Sequence, residues 1–125
     1  MIAETTWNKK EEKRTNFKWR ATPEGIELEH ENDNPPYTIP WTIFHSILRH
    51  AMKMASENDN VITAGTHQSD PSPGSLGVWV LSQNFTLVPG ALTPRHLSFI
   101  GPILGRMGFI KCQHKGNSIQ WAFNQ

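Results

Sequence analysis

The chain has 125 residues, 37% of them hydrophobic, which suits one compact domain with a single core. Twelve Lys and Arg residues against eleven Asp and Glu residues leave a formal charge of +1, so a uniformly basic surface and an acidic solubility tail are both excluded. The only cysteine, Cys112, excludes an internal disulfide framework and a zinc cluster built from cysteines.

Residues 1–16 form a polar segment in which Trp7 stands among charged and polar side chains without periodicity. We expect 1–16 to be a flexible arm and 17–125 to form the domain. The polar N-terminus does not resemble a secretory signal, and no apolar run approaches the ~18 residues that span a bilayer. The sequence therefore predicts a cytoplasmic protein without membrane association.

A β-hairpin is predicted next. Apolar and charged residues alternate over 17–21 and again over 26–29, and Thr-Pro-Glu-Gly at 22–25 supplies the turn between them. The polar residues 31–36, with their paired prolines, are predicted to form a loop.

Residues 40–56 carry the clearest helical pattern, with apolar side chains at spacings of three and four and Pro40 at the start. The remaining arc of this helix is cationic and includes Arg49 and Lys53. A long polar loop follows over 57–74, in which 61–63 could form a short strand.

A second, shorter helix is predicted over 75–83 with Ser75 as its N-cap, although the β-prone residues 78–81 leave a strand as the alternative. Thr93 and Pro94 then begin a third helix over 94–107, which Gly108 is placed to end. Its inward stripe is predicted to contain Leu97, Ile100, Leu104 and Met107, and its outward face Arg95, Ser98, Phe99, Pro102 and Arg106.

The C-terminal residues 109–123 alternate between apolar and polar side chains around a Gly-Asn turn at 116–117, which predicts a second hairpin.

The charges are divided unevenly along the chain. Residues 1–20 have a net charge of +3, residues 21–70 of −6, and residues 71–125, which contain no Asp or Glu, of +4. The sequence thus predicts a polarised molecule with a basic C-terminal end.

Three helices followed by a basic hairpin, over residues 40–123, resemble the winged helix-turn-helix superfamily. The segments that carry the resemblance are Leu-Thr-Pro-Arg-His-Leu at 92–97, Met-Gly-Phe-Ile at 107–110 and Lys-Gly-Asn-Ser-Ile-Gln-Trp at 115–121. The implied fold is α+β: a three-helix core with the C-terminal hairpin as the wing, preceded here by the N-terminal hairpin.

The resemblance implies a non-enzymatic module, regulatory or associated with replication, that places helix 94–107 in the major groove of double-stranded DNA and the wing near the phosphates. The candidate DNA-binding residues are Arg95, Ser98, Arg106, Lys111, His114, Lys115, Arg49 and Lys53. Phe99 and Pro102 depart from this expectation, because neither side chain reads base edges.

An apolar outward face at Phe99 and Pro102 suggests an alternative, a protein-interaction adaptor or inhibitor that also uses the acidic middle segment. The sequence leaves open whether the domain forms a homodimer.

Trp7 and Trp19 are candidates for stacking on the bases of a single strand. The six histidines lack metal-ligand spacing and no acid–base pair stands out, so neither a metal, a cofactor nor an enzymatic activity is expected.

Overall fold

The structure, a computed structural model, describes residues 1–31 and 35–124. Its helices and antiparallel sheets confirm the predicted α+β class. In chain order the elements are β1 (Ile2–Thr5), β2 (Asn16–Ala21), β3 (Gly25–His30), β4 (Tyr37–Pro40), α1 (Trp41–Ser56), β5 (Val61–Thr63), α2 (Leu76–Gln83), α3 (Leu97–Arg106), β6 (Ile110–Lys115) and β7 (Ser118–Phe123).

The N-terminal sheet has the antiparallel order β1-β2-β3-β4, and the predicted hairpin forms its two central strands. One face buries apolar residues such as Trp19 and Leu28, which lie opposite each other in register. The other face is charged, as the alternation predicts. Arg20 and Glu27 form an ion pair there at 3.2 Å.

The prediction of a flexible arm over 1–16 is corrected for its first residues, because Ile2–Thr5 pair with Asn16–Trp19 as an edge strand. The loop that joins them is closed by a backbone hydrogen bond from Thr6 N–H to the Thr15 carbonyl oxygen at 2.9 Å. Sequence periodicity misses this strand because its side chains are mostly exposed and its backbone pairing with β2 supplies the order. Strand β4 lies in the stretch before α1 and was not predicted either.

The helices begin and end close to their predicted positions, and the short strand over 61–63 is confirmed as β5. Strand β5 pairs with β7, and β7 pairs with β6, so the C-terminal sheet has the order β5-β7-β6. The predicted cap on α2 is corrected in one respect. Ser75 occupies the N-cap position, but its side chain makes no capping hydrogen bond.

Helix α3 is preceded by a tight 3₁₀ turn over Pro94–His96. Leu97, Ile100 and Leu104 are buried as predicted. Met107 is not, because α3 ends at Arg106 and Gly108 adopts a φ of +90°, which turns the chain away and leaves Met107 37% exposed.

The two sheets share one hydrophobic core through α3, which contacts β1 on one side and β6 on the other. Trp121 of β7 is fully buried against Gly101 of α3. A Cβ at position 101 would lie 2.8 Å from the Trp121 indole nitrogen, so glycine is what allows the sheet to approach the helix this closely.

The protonation state of His96, in the turn before α3, makes the stability of the fold depend on pH. Its Nδ1 accepts a hydrogen bond from the Thr93 backbone N–H at 2.9 Å, and burial lowers the pKa of His96 to about 4. The folded state therefore binds fewer protons than the unfolded state below pH ~6.5. The stability that this buried neutral ring contributes is present above pH ~6.5 and is lost as the pH falls toward 4.

We expect the wild-type protein to lose on the order of 2 kcal/mol of unfolding free energy through His96 between pH ~7 and ~4.5. His96→Gln retains an acceptor at the third position of the turn but does not titrate, so its loss over the same range should be smaller by that amount. Urea unfolding of both proteins at the two pH values measures the difference. Equal losses would show that His96 does not contribute.

Candidate nucleic-acid interface

The middle of the predicted outward face of α3, at Phe99, is covered by the protein's own N-terminal sheet, whereas Arg95 and Arg106 near its two ends are exposed. Phe99 is only 5% exposed and packs edge-to-face against Phe17 of β2 at 5.2 Å and His30 of β3 at 4.6 Å. The prediction of an exposed Phe99 is therefore wrong. A helical wheel assumes one buried face, whereas α3 is packed between two sheets. The adaptor alternative loses its main residue, and this face of α3 cannot enter a major groove.

The loop between β1 and β2, residues 6–15, brings N-terminal side chains onto the C-terminal hairpin. The Trp7 ring lies 6.0 Å from the His114 ring of β6, measured between centroids, and the Arg14 guanidinium sits 5.3 Å from the Trp7 centroid. Arg14 Nε also donates to the Asn8 carbonyl oxygen at 3.0 Å. Trp7 thus lies between the Arg14 guanidinium on the loop side and His114 of the C-terminal hairpin on the other.

Two shallow grooves meet at Trp7. The first is lined by Arg14 of the loop, Arg106 of α3 and Lys111 of β6, together with Pro102 and the Cys112 side chain. The second is lined by Lys13 of the loop and by Arg95 and Ser98 at the start of α3. We refer to Trp7, Lys13, Arg14, Arg95, Arg106 and Lys111 together as the Trp7 surface.

The Trp7 surface is strongly basic, because five of its six residues are cations and Glu4 is the one carboxylate lining either groove among the described residues. Glu4 accepts a hydrogen bond from Arg106 Nε at 2.7 Å. Arg106 is thereby tied to β1, and about half of its side chain is exposed. The remaining four cations have no salt bridge within the described part of the chain.

The structure brings five of the eight predicted DNA-binding residues to this surface and its rim: Arg95, Ser98, Arg106, Lys111 and His114. Lys115 is exposed at the end of β6, beside the hairpin turn. Arg49 and Lys53 lie elsewhere, in a separate groove on α1. Sequence reasoning missed Lys13 and Arg14, although the net charge of +3 over residues 1–20 was the signal that could have found them.

Among the described residues of the acidic middle segment, 21–31 and 35–70, no carboxylate lines either groove of the Trp7 surface. Glu27 and Glu29 lie on the outer face of the N-terminal sheet, where Glu27 pairs with Arg20 and Glu29 lies opposite Lys18. Glu11 and Glu12 are exposed in the loop 6–15 but do not line either groove. The two strand glutamates therefore lie beside basic residues of β2 and do not line the grooves of the Trp7 surface.

The candidate stacking residues behave differently from each other. Trp19 is buried in the core, so the prediction that it could stack on bases is wrong. Trp7 is half-buried and lines both basic grooves.

Cys112 is half-buried, and burial raises the pKa of its thiol to about 11, which is the opposite of what a nucleophilic cysteine requires.

Among residues 1–31 and 35–124 no group of three or more His, Cys, Asp or Glu side chains has the arrangement of a metal site. Within the same residues no helix has the length and hydrophobicity to cross a bilayer. Comparison with protein-family models, with curated proteins and with solved structures finds no match for this chain.

Proposed function

We propose that this protein is a winged helix-turn-helix domain that binds double-stranded DNA without catalysing a reaction. The order α1, α2, α3 and the hairpin β6–β7 supports the fold, because three helices followed by a basic hairpin are the pattern on which the sequence resemblance rests. The hairpin would be the wing, and its strand β6 contributes Lys111 and His114 to the Trp7 surface and its rim.

The observation that carries the proposal is the convergence of five cations around Trp7 from three separate parts of the chain. Arg and Lys side chains at this density neutralise phosphates and release condensed counterions, which is the main source of affinity for duplex DNA. Arg14 and Arg106 are each held by hydrogen bonds to the protein, so part of this surface is organised before binding.

The mode of binding follows from the covered face of α3. With Phe99 packed against β2 and β3, that face has no access to base edges, and the exposed groups at the ends of α3 are arginines suited to phosphates. The proposed interaction is therefore with the DNA backbone, and its affinity should depend weakly on base sequence.

A titration of labelled duplex at several salt concentrations tests this function. With four to five phosphate contacts, the slope of log K against log salt should be about −3.6 to −4.5, so affinity should fall about 150- to 500-fold between roughly 50 and 200 mM salt. Absence of duplex binding at the lower salt concentration would refute the proposal.

A further inference from the structure

A third open groove, of about 730 Å³, runs along the outward side of α1 and is bounded at one edge by Trp79 of α2. We call it the α1 groove, lined by α1 side chains between Thr42 and Lys53 and by Trp79. It shares no lining residue with the two grooves of the Trp7 surface. The sequence had already indicated its cationic character through Arg49 and Lys53.

The polar groups of the α1 groove are spaced regularly. His45, Arg49 and Lys53 are exposed and follow one another at intervals of four residues, which places them about 6 Å apart along the helix axis. The hydroxyl groups of Thr42 and Ser46 line the same side. No carboxylate lines this groove in the described residues; Glu57, just beyond the end of α1, is close enough to influence His50.

An aromatic pair lies beside this row of donors. The His50 ring stacks on the Trp79 ring with 4.0 Å between centroids and 6° between planes, and Phe85 packs edge-on against Trp79 at 5.6 Å. Burial lowers the pKa of His50, and the nearby Lys53 lowers it further. The groove therefore combines a row of side chains that can donate hydrogen bonds to phosphates with two flat aromatic rings that are held in place by packing.

We propose that the α1 groove binds a single strand of nucleic acid. A single file of donors on one helix matches successive phosphates of one extended strand, and only an unpaired base can extend the His50–Trp79 stack. A duplex would present two strands and no free base face. The inference deepens the proposed function by adding a second nucleic-acid site, but it depends on a separate surface and can fail independently.

Fluorescence anisotropy with a labelled oligothymidine of about 12 nucleotides tests this site. Arg49→Gln/Lys53→Gln should weaken single-strand binding about tenfold or more and reduce the magnitude of its salt slope by about 1.4, because two phosphate contacts are lost. Lys9→Gln/Lys10→Gln, the same charge change at exposed positions outside the grooves, should leave single-strand binding unchanged. Equal effects of the two double variants would overturn the proposal.

The stacking component needs a second probe. An abasic oligomer of equal length keeps the phosphates and removes the bases, and it should bind about fivefold or more weaker than oligothymidine, since stacking contributes about 1–3 kcal/mol per base. Equal binding of the two oligomers, or equal competition by poly-glutamate, would show a general anion site and overturn the assignment.

The same variants separate this inference from the proposed function. Arg49→Gln/Lys53→Gln should leave duplex affinity within about threefold of wild type, because the duplex contacts are assigned to the Trp7 surface. Loss of duplex and single-strand binding together in this variant would mean one continuous surface and would refute a distinct single-strand site. Loss of single-strand binding alone would support it, and would do so even if the wild-type protein did not bind duplex DNA.

Discussion

Phe99→Asp is expected to unfold the protein. Truncation of a buried phenylalanine costs about 3–5 kcal/mol, and an aspartate at this position would also bury a charge between Phe17 and His30. The total stability of a domain of this size is about 5–15 kcal/mol, so the substitution removes much or all of it. Loss of the cooperative thermal transition in circular dichroism is the measurement.

Phe109 offers a matched control for this experiment. It lies just after α3 and is 40% exposed, so Phe109→Asp should change the unfolding free energy by about 1 kcal/mol or less. If Phe99→Asp instead melted like the wild-type protein, Phe99 would be on the surface. The covering of α3 by the N-terminal sheet, and the backbone mode of DNA binding derived from it, would then be wrong.

Arg95→Glu/Lys111→Glu is expected to abolish most duplex binding. The two residues line different grooves that meet at Trp7, so the pair tests whether both belong to one interface. Each reversal removes a phosphate contact and adds repulsion, and together they should lower affinity on the order of 30- to 100-fold at low salt. Both side chains are exposed, so the fold should be retained.

Arg49→Glu/Lys53→Glu makes the same change in net charge on the separate α1 groove. If duplex binding depends on the Trp7 surface, this control should retain duplex affinity within a few-fold of wild type, with circular dichroism confirming that both variants are folded. Equal losses in the two variants would mean that duplex DNA responds to net charge and not to the Trp7 surface.

Local sequence patterns were sufficient for the elements with a clear apolar period. Helix α1 has a broad buried stripe, and buried and exposed residues alternate along most of β2 and β3, so these three elements were predicted almost to their ends. The hairpin β6–β7 was also predicted, because Gly116 and Asn117 mark its turn. In these segments local preference and tertiary packing agree.

Long-range packing determined what the sequence did not reveal. Strand β1 has little apolar character and is ordered by pairing with β2, and Phe99 is buried because a second sheet covers α3. The same cause explains the candidate site. Arg14 and Lys111 are far apart in sequence, and only the closure of loop 6–15 brings both to Trp7. The net charges of the segments indicated that residues 1–20 and 71–125 are basic, but not that side chains from both segments meet at Trp7.

The most direct test of backbone binding by the Trp7 surface is the affinity of the wild-type protein for two duplexes of equal length and unrelated sequence, each titrated across the same salt series. We predict equal affinities within about threefold and parallel salt slopes of about −3.6 to −4.5, because phosphate contacts carry no sequence information. A preference of about 100-fold or more for one duplex would contradict the account, since it would require base contacts that the covered face of α3 cannot make.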